Sequence, residues 1–146
     1  MELFIILGLL CLGYFAGTYA ERQHYKSIRK RERETASISV VTFGAKQEIP
    51  DAKDAKLFVG NVVISGDYFK MFISSLVNLF GGEMTLYRSL LDRGRREALL
   101  RLKQEAISWG GTKILNVRFE TSRIGNQIGD DGLVSIEVIA YGTAIR

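Results

Sequence analysis

The side chains best suited to chemistry are few and far apart. Cys11 and His24 are the only thiol and the only imidazole in 146 residues, and both precede residue 35. Without an imidazole, the remainder of the chain cannot build a Ser-His-Asp or Cys-His relay. The serines at positions 65, 74, 75, 89, 108, 122 and 135 have no recognisable nucleophile context. Soft metals want thiolate or imidazole ligands, so no specific metal site is expected. The adjacent carboxylates Asp130 and Asp131 sit in the turn-rich stretch RIGNQIGDDG and read as part of a turn. Carboxylate pairs of the kind that cleave glycosides are not visible from spacing. Arg93, Arg95, Arg96, Arg101 and Lys103 form a basic run, but Asp92, Glu97 and Glu105 interleave with it. A solvated helix face accounts for that pattern, with an acidic partner as the alternative. The chain is therefore not read as an enzyme, and no cofactor is expected.

The glycine pair Gly81-Gly82, in LFGGEMTLYRSLL, is the other candidate for chemistry. A phosphate-binding loop would need GK[ST] at the helix start, and a dinucleotide loop would need G-x-G-x-x-G after a strand. Glu83 stands instead where an anion would meet the helix N-terminus, and its carboxylate would repel one. The pair reads as a bend between two helices.

The elements that must carry these residues begin with an apolar leader. Leu3 to Ala20 contains no charge, and eighteen helical residues span roughly 27 Å, close to a bilayer's hydrocarbon thickness. A cleaved signal peptide would want a basic start, whereas Glu2 is the only early charge. An uncleaved single-pass anchor over residues 1–20 is the expectation, with Gly13 and Gly17 at the spacing that lets membrane helices pack closely. Arg22, Lys26, Arg29, Lys30, Arg31 and Arg33 follow it as a membrane-surface flank. The positive-inside rule then places the C-terminal domain in the cytoplasm, on the inner membrane. Residues 1–34 carry six basic and four acidic side chains, and the remaining residues carry fourteen and twelve. The body is thus nearly balanced, and lipid is a simpler partner than nucleic acid.

Residues 21–36 read as a polar helical stalk or a solvated linker, with His24 solvated or interfacial. From residue 37 to 146 the pattern is that of one α+β domain. ISVVTF (38–43) and LFVGNVVI (57–64) are strand-like, the second with Gly60 marking a bulge or a close approach. Asp67 to Phe80 carries an apolar stripe at helical period and widens beyond it. It suits core burial, a subunit interface or, less simply, a bilayer surface. Glu83 to Trp109 is the clearest helix, with Tyr87, Leu91, Gly94, Ala98, Leu102, Ala106 and Trp109 recurring every three or four residues. Gly110-Gly111 should end it through a left-handed cap. Two more strands follow, around Leu115 to Phe119 and Leu133 to Ile145. Ile139, Tyr141 and Ile145 leave the second sheet face partly apolar, which suits self-association. A small antiparallel sheet with helices over one face is expected.

The string from Asn78 to Glu120, followed by IEVIAYGTAI, resembles the YbjQ family, whose name carries a heavy-metal-binding label. Gly81, Gly82, Tyr87, Ala98, Gly110, Gly142, Thr143 and Ala144 match that family's pattern in order. Glu83-Met84 and Tyr87-Arg88 depart from it. The resemblance implies a dodecin-like subunit that assembles into a ring, commonly a pentamer, and implies no established reaction. The combined expectation is a membrane-anchored homo-oligomeric scaffold or binding module that could hold an unidentified protein partner. The alternative is a ring-shaped carrier or pore holding a small ligand between subunits, with Tyr68, Tyr87, Trp109 and Tyr141 as stacking surfaces.

Overall fold

The computed structural model describes residues 2–44, 46–49, 52–65, 85–124 and 135–146. Helix α1 runs unbroken over Glu2–Glu34, with Glu2 in its first turn and Arg31 and Arg33 in its last, complementing the helix dipole at both ends. Thr35 ends it by donating its hydroxyl to the Arg31 carbonyl at 2.9 Å. Strand β1 (Ser39–Val41) follows, then β2 (Ala55–Ser65), helix α2 (Thr85–Ser108), β3 (Lys113–Ile124) and β4 (Ser135–Ile145).

The strands form one sheet in the order β1-β3-β4-β2. β4 pairs antiparallel with both β2 and β3 along their lengths, whereas β1 runs parallel to β3 with Ser39 opposite Lys113. The sheet is therefore mixed, not wholly antiparallel. Three residues hold no pattern that signals direction, and β1 is placed by the entry of α1 rather than by a hairpin.

Helix α2 lies across one face. Leu90, Ala98, Leu102 and Ala106 meet Val62, Ile64, Ile114, Ile136, Val138, Ala140 and Ala144 in the core, with Phe58 and Trp109 packed at one margin. Small residues set how closely helix and sheet approach. A Cβ built on Gly60 would overlap the Ala98 carbonyl oxygen and lie 2.5 Å from the Leu102 nitrogen. Glycine is thus required where β2 passes under the helix backbone. The helix stops as its sequence suggests: Gly110 adopts φ 89°, its N–H bonds the Ile107 carbonyl at 2.9 Å, and Gly111 N–H bonds that of Ala106 at 2.8 Å. These two bonds make a Schellman cap.

The leader needs the largest correction. Among the described residues no helix is long and apolar enough to cross a membrane. The single-pass anchor over residues 1–20 is withdrawn, and with it the inner-membrane placement and the cytoplasmic orientation of the C-terminal domain. The second half of α1 is instead part of the folded unit. Ile28 is fully buried, and Gly17 and Ala20 line a cleft beside Arg93, Glu97 and Arg101. Hydrocarbon would not solvate those charges. The basic flank is likewise committed in part to the fold, since Arg31 pairs with Glu97 of α2.

Candidate functional site

The site begins with a spacing on α1. Glu21, Tyr25, Ile28 and Glu32 recur at four, three and four residues, so they share one helical face. That face meets α2 through a ladder of polar contacts. Ser89 donates to Glu21 at 3.0 Å, the Tyr25 and Ser89 hydroxyls lie 3.5 Å apart, and Arg96 grips Glu32 with two bonds of 2.8 Å. The Arg96 guanidinium also lies 5.6 Å from the centre of the Tyr25 ring.

Glu97 is the hub. Its residue is 4 % exposed, yet Arg31 holds both carboxylate oxygens, Arg101 donates at 3.2 Å, and His24 Nε2 stands 3.9 Å away. Burial pushes the Glu97 carboxyl up, but the bonds from Arg31 and Arg101 outweigh it and hold the group below the ordinary carboxylate range. A bond from Arg96 lowers Glu32 in the same sense. His24 is shifted below its ordinary 6.5, first by burial and then by the nearby Arg93 charge, against a smaller opposing pull from Glu97.

Beside this hub a half-open cleft of about 440 Å³ lies between α1, β2 and α2. Gly17, Ala20, Val62, Ile64 and Leu90 supply its apolar walls; Glu21, His24, Ser89, Arg93, Glu97 and Arg101 supply its polar ones. Two polar atoms there are buried without a hydrogen-bond partner, His24 Nδ1 and Arg93 Nε. Ser89 gives its proton to Glu21 rather than to His24.

The charged groups of the basic run thus separate by role. Arg96 and Arg101 close the α1–α2 seam and its flank on β2, the latter also donating to the Asn61 carbonyl at 2.8 Å. Arg95 is exposed, and Arg93 faces the cleft. Of the flank residues on α1, Arg31 is drawn into the seam, Lys30 pairs with Glu34 at 3.8 Å, and Arg29 and Arg33 donate to carbonyls of their own helix. Arg22 and Lys26 are exposed. A Cβ built on Gly13 would meet nothing within 4 Å, while Gly17 lines the cleft. Gly81 and Gly82 lie outside the described residues, as does the expected Asp67–Phe80 helix.

The remaining motif residues are structural where they are described. Ala98 is the point at which α2 rides over Gly60, and Gly110 caps the helix. Gly142 sits opposite a bulge in β3 between Leu115 and Arg118, where a Cβ would meet Ile114 Cγ2 at 3.0 Å and Val117 Cγ2 at 3.1 Å. The bulge is fastened by Asn116, at φ 54°, whose side-chain oxygen accepts the Phe43 N–H at 2.8 Å. Thr143 is half-buried between Leu57 and Leu115. Ala144 is fully buried and packs where a Cβ on Gly111 would come to 3.3 Å.

Residues 38–146 match the YbjQ family pattern, described as "Putative heavy-metal-binding". The chain belongs to the YbjQ family. It is 40 % identical over 87 residues to a UPF0145 protein of Natronomonas pharaonis, covering 60 % of this chain and 77 % of that one. A UPF0145 protein of Hahella chejuensis is 36 % identical over 93 residues, 64 % of this chain and 83 % of its own. One of Burkholderia thailandensis is 36 % identical over 87 residues, 60 % and 72 %.

Among the described residues the donors do not fit the heavy-metal label of the YbjQ family. Cys11 is exposed on α1, and thirteen helical residues put it roughly 20 Å from His24, too far to share an ion. Among the described residues no group of three His, Cys, Asp or Glu side chains could hold a metal. Glu21 and Glu97 are already engaged by Ser89 and by the two arginines.

The other surface of note is the open face of the sheet. Leu57, Val59 and Val63 are 61 %, 52 % and 53 % exposed. They lie in register with Thr143, Tyr141 and Glu137, with Ile139 beside them opposite Asn61. Ile145, expected on this face, is buried.

Proposed function

We propose that this YbjQ-family chain is a binding module rather than an enzyme, and that it takes up a small ligand in the cleft between α1, β2 and α2. The observation that carries this reading is the cleft's composition. Apolar walls stand beside a few convergent polar groups, and an arginine and a histidine nitrogen there have no partner. A volume of about 440 Å³ falls in the usual range for small-ligand sites, roughly 300–1,000 Å³. Native mass spectrometry of the full chain tests it. A non-covalent small molecule retained on the native protein and absent from Ala20→Trp, which fills the cleft, supports the reading. Retention unaffected by Ala20→Trp contradicts it.

Self-association is the second part of the proposal, with a second copy of the chain as the occupant of the open sheet face. Leu57, Val59 and Val63 present a row of exposed apolar side chains along an outer strand of the sheet. Surfaces of this kind on small subunits are commonly covered by association. A ring, as the family resemblance implies, would meet that need, and Leu57→Lys with Val59→Lys should dissociate it. Unchanged mass by light scattering argues against this face as the interface.

A further inference from the structure

We propose that the ligand of the α1–β2–α2 cleft is a small organic monocarboxylate with an apolar body, held by Arg93. The inference deepens the binding-module reading and rests on it.

It follows from how the charges in the cleft are matched. Glu97 is neutralised by Arg31 and Arg101, which bond it directly. Glu21 accepts from Ser89 and has a further interaction of its own. Arg93 is left over: among the described residues no hydrogen bond or ion pair engages it, and its Nε is buried. A guanidinium cannot shed its proton to escape such a position. A lysine or histidine placed there could simply turn neutral, but an arginine needs an anion or water. The fork of N–H groups on a guanidinium matches the two oxygens of a carboxylate.

The neighbours limit the anion's charge. Glu21 also lines the cleft, and a second negative charge would meet its repulsion at close range. A monoanion is therefore favoured over a phosphate dianion. His24 Nδ1, also unpartnered, can add one hydrogen bond. The apolar walls ask for a tail: Val62, Ile64 and Leu90 on one side, and the bare backbone at Gly17 with Ala20 on the other. An inorganic anion would leave that surface uncovered.

Titration calorimetry on the full chain, with hexanoate, hexanol, hexylamine and inorganic phosphate as probes, tests the proposal. Hexanoate should bind one per chain and exceed the other three probes in affinity. Arg93→Gln should weaken it at least about tenfold, the equivalent of about 1.4 kcal/mol, and Arg93→Lys by less. Arg95→Gln, an exposed change on the same helix, should leave it within about twofold. Circular dichroism melting checks that each variant remains folded. Should Arg93→Gln unfold, Arg93→Lys and Ala20→Trp carry the test, and both must weaken hexanoate.

Hexanoate affinity indifferent to Arg93→Gln and Arg93→Lys overturns the proposal. So does tighter, Ala20→Trp-sensitive binding of hexanol, hexylamine or phosphate, although the cleft would then still be a ligand site. Failure of every probe to bind, with no retained molecule on the native chain, overturns the proposal and the binding-module reading together.

Discussion

Alanine in place of Gly60 is the perturbation whose cost the structure defines best. The new methyl would collide with the Ala98 carbonyl oxygen, stand 2.5 Å from the Leu102 nitrogen and 3.1 Å from Arg101 Cβ. The first two are backbone atoms in the middle of α2, so no side-chain rotation relieves the contact. The strand must step away from the helix by roughly 1 Å. A gap of that size forfeits about a quarter to a half of each dispersion contact across it. The contacts at risk join Val62 and Ile64 to α2 residues in the buried core. Overpacking of this kind costs about 1–3 kcal/mol, and the rigidity of both partners puts Gly60→Ala at the upper end. Gly94→Ala is the matched control. Its methyl would meet Val138 Cγ2 at 2.7 Å, a buried side-chain atom rather than helix backbone, and the roughly 1 kcal/mol of helix propensity that alanine returns offsets part of that cost. Urea denaturation followed by Trp109 fluorescence should therefore show a loss of about 3 kcal/mol for Gly60→Ala and a change within about 1 kcal/mol for Gly94→Ala. Equal stabilities, or the reverse order, would refute the close-approach argument.

Three further outcomes are expected. Glu97→Gln should destabilise the chain by about 2 kcal/mol in urea, because Arg31 is left near an uncharged amide; the partial exposure of both arginines keeps the loss below that of a fully buried pair. Gly110→Ala should cost about 1 kcal/mol by the same assay, purely from its φ of 89°, since a Cβ there meets nothing. Melting temperature should hold steady above about pH 6.5 with respect to these groups and fall as the solution is acidified. His24 is lowered below 6.5 in the fold and Glu32 and Glu97 below 4.5. The unfolded chain therefore binds protons first in both windows, and acid draws the equilibrium towards it. His24→Gln should remove the upper window alone.

Much of the architecture was legible from residue pattern. Helix α2, its small residues facing the sheet and its Gly110-Gly111 stop all follow from local rules, because period and cap chemistry act within a few residues. The long strands β2, β3 and β4 fall where β-branched alternation places them. The parallel β1 was not legible, since Ser39–Val41 is too short to encode its partner.

The cleft was not legible for a different reason. Glu32 with Arg96 and Arg31 with Glu97 bridge positions more than sixty residues apart, and charges on one helix look the same whether they face water or another helix. The spacing of Glu21, Tyr25, Ile28 and Glu32 was the available signal. Hydropathy averaged over Leu3 to Ala20 hid it, because such an average does not distinguish the face bearing Gly17 and Ala20 from the rest of the turn. The family motif gave no pointer to the cleft either: its described residues shape the backbone at Gly110 and Gly142 and the packing at Ala98.

The central claim is that the second half of α1 belongs to the folded domain and completes one wall of the cleft. Hydrogen–deuterium exchange on the full chain near pH 7 tests it most directly. Amides of residues 21–34 should be protected on the same scale as those of residues 96–106, and hexanoate should slow them further. Exchange of 21–34 at the rate of an isolated helix, with α2 still protected, would show that α1 stands apart and that the cleft does not form.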